Sequence, residues 1–298
     1  MFTKFFGKGV DREPVKDLPS VKTDLKNLPA DKSVIVWFGH SSFLISSGGK
    51  TILADPVFSL RPSPVQYAGS KSYPGTRVYN VNDLPDLDIV VISHDHYDHL
   101  DYNTVVQLKD RTRFFCVPLG VGEHLVHWGV DPKRILEFDW WENQSVLPEV
   151  EVICTPARHF SGRGFRSNKT LWASFVLDVA GKRFFIGGDS GYDDSFKKIG
   201  QKYGPFDLAT LECGQYDPQW PDIHMMPEQT VQASLDLRAK VFLPIHWAKF
   251  TLALHPWKDP ITRATAHAET INAAITTPMI GQPITIDEPF PTSRWWED

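Results

Sequence analysis

The stretch Ser93-His94-Asp95-His96-Tyr97-Asp98-His99-Leu100-Asp101 is the part of this sequence from which both fold and chemistry can be predicted. Three imidazoles and the Asp98 carboxylate fall within six of its residues, and the packing of a surface loop gives no reason to gather such side chains. Divalent metals such as zinc bind imidazole nitrogen and carboxylate oxygen, and a tight loop can direct closely spaced side chains into one cavity. We therefore predict a metal site here, with the ligands His94, His96, Asp98 and His99.

Further ligand-type residues follow other predicted strands. The stretch above comes directly after the apolar run Asp88–Ile92, so it stands where a buried strand ends, a typical place for active-site loops. Its residues are too few to complete two metal sites, so more ligands should stand elsewhere. His159, Asp189 and His246 each stand just beyond another short apolar run. These three strand ends therefore supply one candidate ligand each.

Short apolar runs and helical stretches are interspersed along the chain. Runs bounded by polar or turn residues predict strands at Val34–Phe38, Phe43–Ile45, Thr51–Ala54, Ile89–Ile92, Arg113–Val117, Val150–Cys154, Trp172–Leu177, Arg183–Ile186, Leu208–Leu211 and Val241–Pro244. Helices are predicted at Asn103–Lys109, Gly122–Trp128, Asp194–Tyr203, Pro227–Arg238 and Arg263–Ala274. This order excludes the all-α and all-β classes and leaves a layered α/β arrangement.

One domain is predicted. The chain of 298 residues is long enough for a single large core, and it contains no internal repeat, low-complexity tract or obvious linker. Residues 1–32 are polar, rich in lysine and interrupted by prolines, so we predict an extended N-terminal lead-in. A single folded domain is predicted over residues 33–298. Segment Phe58–Tyr79 has no periodicity and contains several prolines and glycines, which predicts a long loop of a kind that is often functional.

Composition and charge narrow the classes of function. The apolar fraction of 42% and the charged fraction of 22% are near the averages for soluble globular proteins. A net charge of −5 gives no long-range attraction for polyanions, so no nucleic-acid partner is expected. Cys116, Cys154 and Cys213 stand in apolar runs, which favours buried thiols in a reducing compartment.

The sequence also allows a prediction of the protein's localisation. No run approaches the roughly 20 apolar residues that a membrane-spanning helix needs, so a cytoplasmic protein is expected. The aromatic and basic start Met1–Lys8 leaves peripheral contact with a membrane surface open. A homodimer also remains open.

The ordered set of ligands resembles the metallo-β-lactamase superfamily, whose shared motif is His-x-His-x-Asp-His followed downstream by a His, an Asp and a His. The match covers nearly the whole folded chain. It implies an αββα sandwich, in which two facing mixed β-sheets carry helices on both outer sides. It also implies that the first metal is held by His94, His96 and His159, the second by Asp98, His99 and His246, and that Asp189 bridges the two.

The resemblance implies a binuclear hydrolase with two zinc ions as cofactors, although iron or manganese would also suit the ligands. Two metals roughly 3.5–4 Å apart can share a bridging hydroxide, because their charge lowers the pKa of bound water from 15.7 to about 7. Such ions also polarise the scissile bond, so no Ser or Cys nucleophile is needed. Asp98 and Asp189 would then be catalytic as well as ligands.

Several stretches look like the branch of N-acyl-phosphatidylethanolamine-hydrolysing phospholipase D. They are Asp55–Phe58, Ser63–Tyr67, Ser93–Asn103, Phe138–Glu142 and Gly204–Leu208. This resemblance implies a lipid phosphodiester substrate, from which N-acylethanolamine and phosphatidic acid are released. It implies that Gln66 and Tyr67 bind the headgroup and that His224 stands beside the metals.

His224 precedes the helix predicted from Pro227, a place from which a side chain can project into a cavity. There it could contact substrate and either stabilise the phosphoryl oxygens or protonate the leaving group. Simpler roles exist for the other two positions, because Gln66 could be a loop hydrogen-bonder and Tyr67 a packing residue. His40 looks like a family position, but a buried hydrogen-bonding histidine explains it equally well, so it stays outside the predicted metal set.

Two other functions remain open. A lactonase of the sugar-phosphate lactonase branch shares this fold and much of the motif. A di-iron module that reacts with or senses oxygen belongs to another class, but such proteins carry Glu where this chain has His96 and append a flavin-binding domain. The resemblance to the phospholipase branch does not extend to the tail Pro283–Asp298, which contains prolines and tryptophans. No role is assigned to the scattered histidines His124, His127, His255 and His267.

Overall fold

The computed structural model describes residues 11–164 and 166–298. Its strands form two β-sheets. The first contains β1 Val34–Trp37, β2 Phe43–Ser47, β3 Lys50–Ala54, β4 Leu87–Val91, β5 Thr112–Pro118, β6 Ile135–Phe138 and β13 Pro283–Thr285. The second contains β7 Asn143–Leu147, β8 Val150–Thr155, β9 Ser174–Val179, β10 Lys182–Ile186, β11 Leu208–Glu212 and β12 Phe242–Ile245. The α-helices are α1 Tyr102–Leu108, α2 Gly122–His127, α3 Ser195–Tyr203, α4 Pro227–Asp236 and α5 Asp259–Ile271.

Both sheets are mixed. The first has the order β13-β1-β2-β3-β4-β5-β6 and is antiparallel from β13 to β3 and parallel from β3 to β6. The second has the order β12-β11-β10-β9-β8-β7 and is parallel from β12 to β10 and antiparallel from there to β7. Each sheet thus has one parallel half, and the carboxyl ends of its parallel strands all lie on the same side of the sheet.

The core lies between the sheets, and helices cover their outer faces. In β1, Ile35 and Trp37 belong to the cluster between the sheets, whereas Val34 and Val36 belong to a second cluster that includes residues of α1 and α2. The cluster between the sheets continues through the second sheet to the buried residues of α3, α4 and α5. Strands covered on both faces are continuous apolar runs, which is why they could be recognised in the sequence. The predicted αββα sandwich is confirmed.

Three strands were missed by sequence reasoning, namely β6, β7 and β13. All three lie at or next to the edges of their sheets, and the first three residues of β7 are exposed. Edge strands carry little of the apolar pattern on which strand prediction depends. Helix α5 begins four residues before the predicted Arg263, because Pro260 occupies its first turn. It ends at Ile271, because the next residue, Asn272, has a positive φ of 56° that terminates the helix.

The described part of the lead-in and the tail lie against the domain. Leu18 and Leu25 are buried, and the Val21 amide donates to the Ile280 carbonyl at 2.8 Å. At the other end, β13 pairs with β1, and Trp295 and Trp296 are buried. Residues 55–80 contain no helix or strand, as the loop predicted for Phe58–Tyr79 requires.

The described residues contain no helix that is both long and apolar enough to cross a membrane. The start Met1–Lys8, for which membrane contact was considered, lies outside the described residues. The three cysteines Cys116, Cys154 and Cys213 are buried free thiols.

Candidate metal centre

The predicted ligands come together where strands of both sheets end. His94, His96, Asp98 and His99 stand in the turn between β4 and α1, and α1 is capped by the Asp101 carboxylate, which accepts from the Asn103 amide. His159 follows β8, Asp189 follows β10, and His246 comes directly after β12. Each of these residues thus follows a buried strand by a few positions.

Strained backbone accompanies this convergence. His246 has a φ of 67°, His40 of 54° and Asp55 of 39°, all in the left-handed region that residues other than glycine rarely adopt. Such conformations persist only where the surrounding structure enforces them, and they cluster at functional sites. The side chains of these three residues contact the predicted ligands Asp98, His99 and Asp189.

The first group of side chains consists of His94, His96, His159 and Asp189, whose ligand atoms lie within 4.8 Å of one another. Nδ1 of His96 lies 2.8 Å from Nε2 of His94 and 3.2 Å from Nε2 of His159. Nitrogens bound to one tetrahedral zinc at 2.0–2.1 Å would lie about 3.3 Å apart. The three imidazoles are therefore spaced as ligands of a single ion.

The second group consists of His40, Asp98, His99 and His246, again within 4.8 Å of one another. His40, which sequence reasoning left outside the metal set, contacts the Asp98 carboxylate through Nε2 at 2.9 Å. Asp189 lies between the groups. Its Oδ2 is 3.1 Å from Nε2 of His99 and 3.8 Å from Nε2 of His94, a position that suits the bridging role implied by the resemblance.

These residues fit a divalent cation. Among the described residues, Nε2 of His99, Oδ1 of Asp189 and Nδ1 of His40 are buried without a hydrogen-bond partner. A buried polar atom left unsatisfied costs about 1–3 kcal/mol, and ligation of a cation would remove this cost for a nitrogen lone pair or a carboxylate oxygen. The donor set of imidazole and carboxylate is the one that zinc, iron and manganese accept.

The pKa values of the side chains at the site also favour a bound cation. Burial and the neighbouring imidazoles lower the pKa of His94 well below its usual value, which favours the neutral ligand form. Burial acts to raise the pKa of Asp189, but His246 and His99 hold it well below the usual range. Burial also opposes a charge on His99, yet Asp189, Asp98 and Asp55 raise its pKa well above the usual value. The position therefore attracts positive charge, which a metal ion supplies.

Two residues missed by sequence reasoning support the motif loop. The Asp55 carboxylate contacts both Ser93 and His99. The Arg163 guanidinium donates through Nη1 to the carbonyls of Asp95 at 2.7 Å and Leu100 at 2.6 Å, and so closes the loop that carries four ligands. Asp55 stood in a stretch that resembles the phospholipase branch, so a signal for it existed, whereas Arg163 had none.

His224 stands beside the centre. Its ring centroid is 5.1 Å from that of His159 and 5.3 Å from that of His246. Nδ1 lies 2.7 Å from Oε2 of Glu212, the last residue of β11. Burial acts to lower the pKa of His224, but the Glu212 carboxylate raises it to about 9. Sequence reasoning did not select Glu212, although it directly follows the strand predicted at Leu208–Leu211, the same kind of position from which His246 was selected.

The side chains of Gln66 and Tyr67 lie in different environments. Gln66 exchanges hydrogen bonds with the backbone of Arg61, at 3.1 Å from N to Oε1 and 3.0 Å from Nε2 to O. It also lines a cleft of about 520 Å³ together with Tyr97 of the motif. Tyr67 is 85% exposed. Within the described parts of the chain, neither side chain bonds to a predicted metal ligand.

The remaining histidines lie apart from the two ligand groups. Nε2 of His124 is 3.5 Å from the Asp95 carboxylate, and Nε2 of His255 accepts from the Gln215 amide at 2.8 Å. His127 is exposed on α2.

Comparison with known proteins gives the following similarities. A family model described as "Beta-lactamase superfamily domain" matches residues 50–247. The N-acyl-phosphatidylethanolamine-hydrolyzing phospholipase D 1 of Caenorhabditis elegans is 33% identical over 266 residues, which cover 78% of this chain and 74% of that protein. An uncharacterized protein of Mycobacterium tuberculosis is 44% identical over 288 residues, covering 95% and 77%.

Among solved structures, the metallo hydrolase Igni18 of Ignicoccus hospitalis superposes with a TM-score of 0.65 at 21% identity and covers 87% of this chain and 100% of its own. At that identity the similarity concerns the fold alone.

Proposed function

This chain belongs to the metallo-β-lactamase superfamily of metal-dependent hydrolases, and we propose that it is a phosphodiesterase that cleaves N-acyl-phosphatidylethanolamine-like lipids to N-acylethanolamine and phosphatidic acid. The observation that carries the substrate class is the 33% identity to the nematode phospholipase D over most of both chains. The position of His224 beside the predicted metal ligands supports the same reaction.

In the proposed enzyme two zinc ions would be held by residues of the two ligand groups. His94, His96 and His159 would hold one ion and Asp98, His99 and His246 the other, with Asp189 between them. When bound, such ions would polarise a phosphoryl oxygen and lower the pKa of water, so that it loses a proton to solvent and supplies hydroxide as the nucleophile near neutral pH.

The chain's own residues position the substrate and move a proton. His224 can hold a proton at Nε2 and deliver it to the departing alkoxide, or donate a hydrogen bond to a phosphoryl oxygen. The cleft lined by Gln66 and Tyr97 lies next to the motif loop and would receive the headgroup. A lipid substrate also implies that the protein reaches a membrane surface.

The test is a substrate screen with zinc-reconstituted protein. The panel contains an N-acyl phosphatidylethanolamine in vesicles and in micelles, bis-p-nitrophenyl phosphate, and a set of lactones, with products identified by mass spectrometry. We expect release of N-acylethanolamine. Turnover of lactones without any phosphodiester cleavage would overturn the proposal in favour of the lactonase branch.

A variant pair tests the role of His224. His224→Ala should keep its metal content and melting temperature, whereas turnover of the phosphodiester should fall by roughly 10²–10⁴-fold, the usual effect of removing a positioned acid–base group. If Nε2 protonates the leaving group, p-nitrophenyl esters should be partly rescued, because their leaving group needs less protonation. The exposed His127→Ala is the matched control and should behave as the wild type.

A further inference from the structure

We propose that Glu212 is a positioning residue, whose carboxylate orients the His224 ring so that Nδ1 faces Glu212 and Nε2 faces the substrate. The consequence for turnover rests on the proposed function, in which His224 acts on the phosphodiester. The hydrogen-bond arrangement itself does not depend on the substrate.

Both oxygens of Glu212 accept a hydrogen bond. Oε2 accepts from Nδ1 of His224 at 2.7 Å, and Oε1 accepts from the Met225 amide at 2.7 Å. The backbone carbonyl of Glu212 accepts from the Thr230 hydroxyl at 2.7 Å. Glu212 is 1% exposed, so water does not compete for these contacts. The end of β11 is thereby tied to the loop that carries His224 and to the first turn of α4.

A carboxylate is required for this arrangement. An ionised carboxylate only accepts, so it satisfies two donors at once, whereas a glutamine amide has one accepting and one donating end. The Met225 amide can only donate, so it would take the oxygen of a glutamine. The NH₂ group would then face His224, and Nδ1 would have to become an acceptor.

The fixed ring presents one defined nitrogen. Nδ1 is engaged by Glu212, and Nε2 makes no hydrogen bond to the part of the chain that the structure describes, so Nε2 is the nitrogen available to a substrate. An imidazole held by a buried carboxylate has a fixed tautomer and orientation, and this is what allows a catalytic group to meet its target without searching. Glu212 does not touch the substrate and acts through His224.

The proposal also separates Glu212 from the metal ligands. Glu212 belongs to a third group of residues that could hold an ion, together with Asp189, His224 and His246. Both of its oxygens, however, are already taken by N–H donors. We therefore expect Glu212→Gln to keep the zinc content of the wild type, and loss of zinc in this variant would overturn the positioning role.

The first measurement is nitrogen-15 NMR of the histidine rings in the zinc-loaded full chain, with the His224 signals assigned by their absence in His224→Ala. Nδ1 should carry a proton in the wild type and lose it in Glu212→Gln. An unprotonated Nδ1 in the wild type would overturn the proposal by itself, so failure of Glu212→Gln to fold does not remove the test.

The second measurement is a double-mutant cycle on the phosphodiester. Glu212→Gln alone should lower kcat by about 10–100-fold, the usual effect of a residue that orients a catalytic side chain, with little change in KM. In the His224→Ala background the same substitution should change kcat by no more than about twofold, because there is no ring left to orient. A full additional loss in that background would show that Glu212 acts independently of His224.

The two proposals fail in different ways. If His224→Ala keeps its turnover while the NMR pattern is as expected, the orientation of the ring by Glu212 stands and the role of both residues in turnover is overturned. If His224→Ala loses turnover but Nδ1 is unprotonated in the wild type, His224 stands and the role of Glu212 is overturned.

Discussion

The carboxylate of Asp55 accepts a hydrogen bond from Nδ1 of His99 at 2.9 Å, across 44 positions of sequence. The same carboxylate accepts from the amide and the hydroxyl of Ser93, each at 2.7 Å. The end of β3 thus holds both ends of the motif turn. With Nδ1 engaged, Nε2 of His99 faces Asp98 and Asp189 at 3.5 and 3.1 Å. Asp55 therefore determines which nitrogen of His99 is offered to a metal.

Replacement of Asp55 should weaken metal binding although Asp55 is not a ligand. Residues that orient metal-binding histidines typically contribute 10–100-fold to affinity, so Asp55→Asn should raise the zinc dissociation constant by about that factor. Competition with a chromophoric chelator measures this constant. Asp86→Asn is the matched control. The Asp86 side chain is 87% exposed and pairs with Arg111, which lies outside the motif. Equal affinity of Asp55→Asn and the wild type would contradict the orienting role.

Metal stoichiometry should be about two zinc ions per chain. The predicted ligands outnumber the four that one tetrahedral site uses, and they fall into two groups joined by Asp189. Elemental analysis of reconstituted protein gives the ratio. A value that stays near one at full activity would rule out the two-metal site.

Loss of His96 should abolish activity and lower the stability of the fold. Metal affinity contributes to the free energy of folding, so His96→Ala should bind less zinc, melt at a lower temperature and show no turnover. Elemental analysis and calorimetry measure the first two quantities, with the exposed His127→Ala as control. An active and equally stable His96→Ala protein would take His96 out of the ligand set.

Lys249 should make the stability of the fold depend on pH. Its buried Nζ donates to the carbonyls of Phe38 at 3.1 Å and Val57 at 3.0 Å, and burial lowers its pKa from 10.5 to about 7. Between these pH values the unfolded chain binds more protons than the folded one. The penalty for the buried charge is therefore fully present below pH about 7 and disappears as the pH rises toward about 10.

The measurement compares the wild type with Lys249→Met in denaturant titrations from pH about 6 to about 9. The free energy of unfolding of the wild type, relative to the variant, should increase by up to about 1.4 kcal/mol per pH unit above pH about 7. The unsatisfied carbonyls left by the variant add an offset that does not change with pH. A difference that stays constant over the whole range would contradict the lowered pKa.

Trp295 should stabilise the segment that carries His246. Its ring stacks on Trp247 at 5.2 Å between centroids, and Trp247 stacks in turn on Trp37 at 5.6 Å. Trp295→Ala should lower the free energy of unfolding by about 3–5 kcal/mol, as for other buried aromatic residues. Trp141, which is 38% exposed, is the control, and its replacement by Ala should cost about 1 kcal/mol or less. Equal losses would mean that the tail does not support the core.

The sequence by itself determined the fold class and the positions of the candidate ligands. Strands buried on both faces are continuous apolar runs, so they could be recognised without any tertiary information. Ligands crowded between His94 and His99 have no packing explanation, and active-site residues tend to follow strands, so His159, Asp189 and His246 could be selected from among many similar residues. These patterns are local, so they can be recognised from the sequence alone.

Only the tertiary structure decided which residues hold those ligands in place. Asp55 and Glu212 stand at positions that carried a sequence signal, but their contacts with His99 and His224, 44 and 12 positions away, could not be read from it. Arg163 looks like any other charged residue, because its partners lie 63 to 68 positions away. The tail is a similar case, since β13 matched no strand pattern and pairs with β1 near the start of the chain, and Trp295 stacks on Trp247. A hydrogen bond depends on distance and direction in space, and spacing along the chain specifies neither until the sheets have brought their strand ends together.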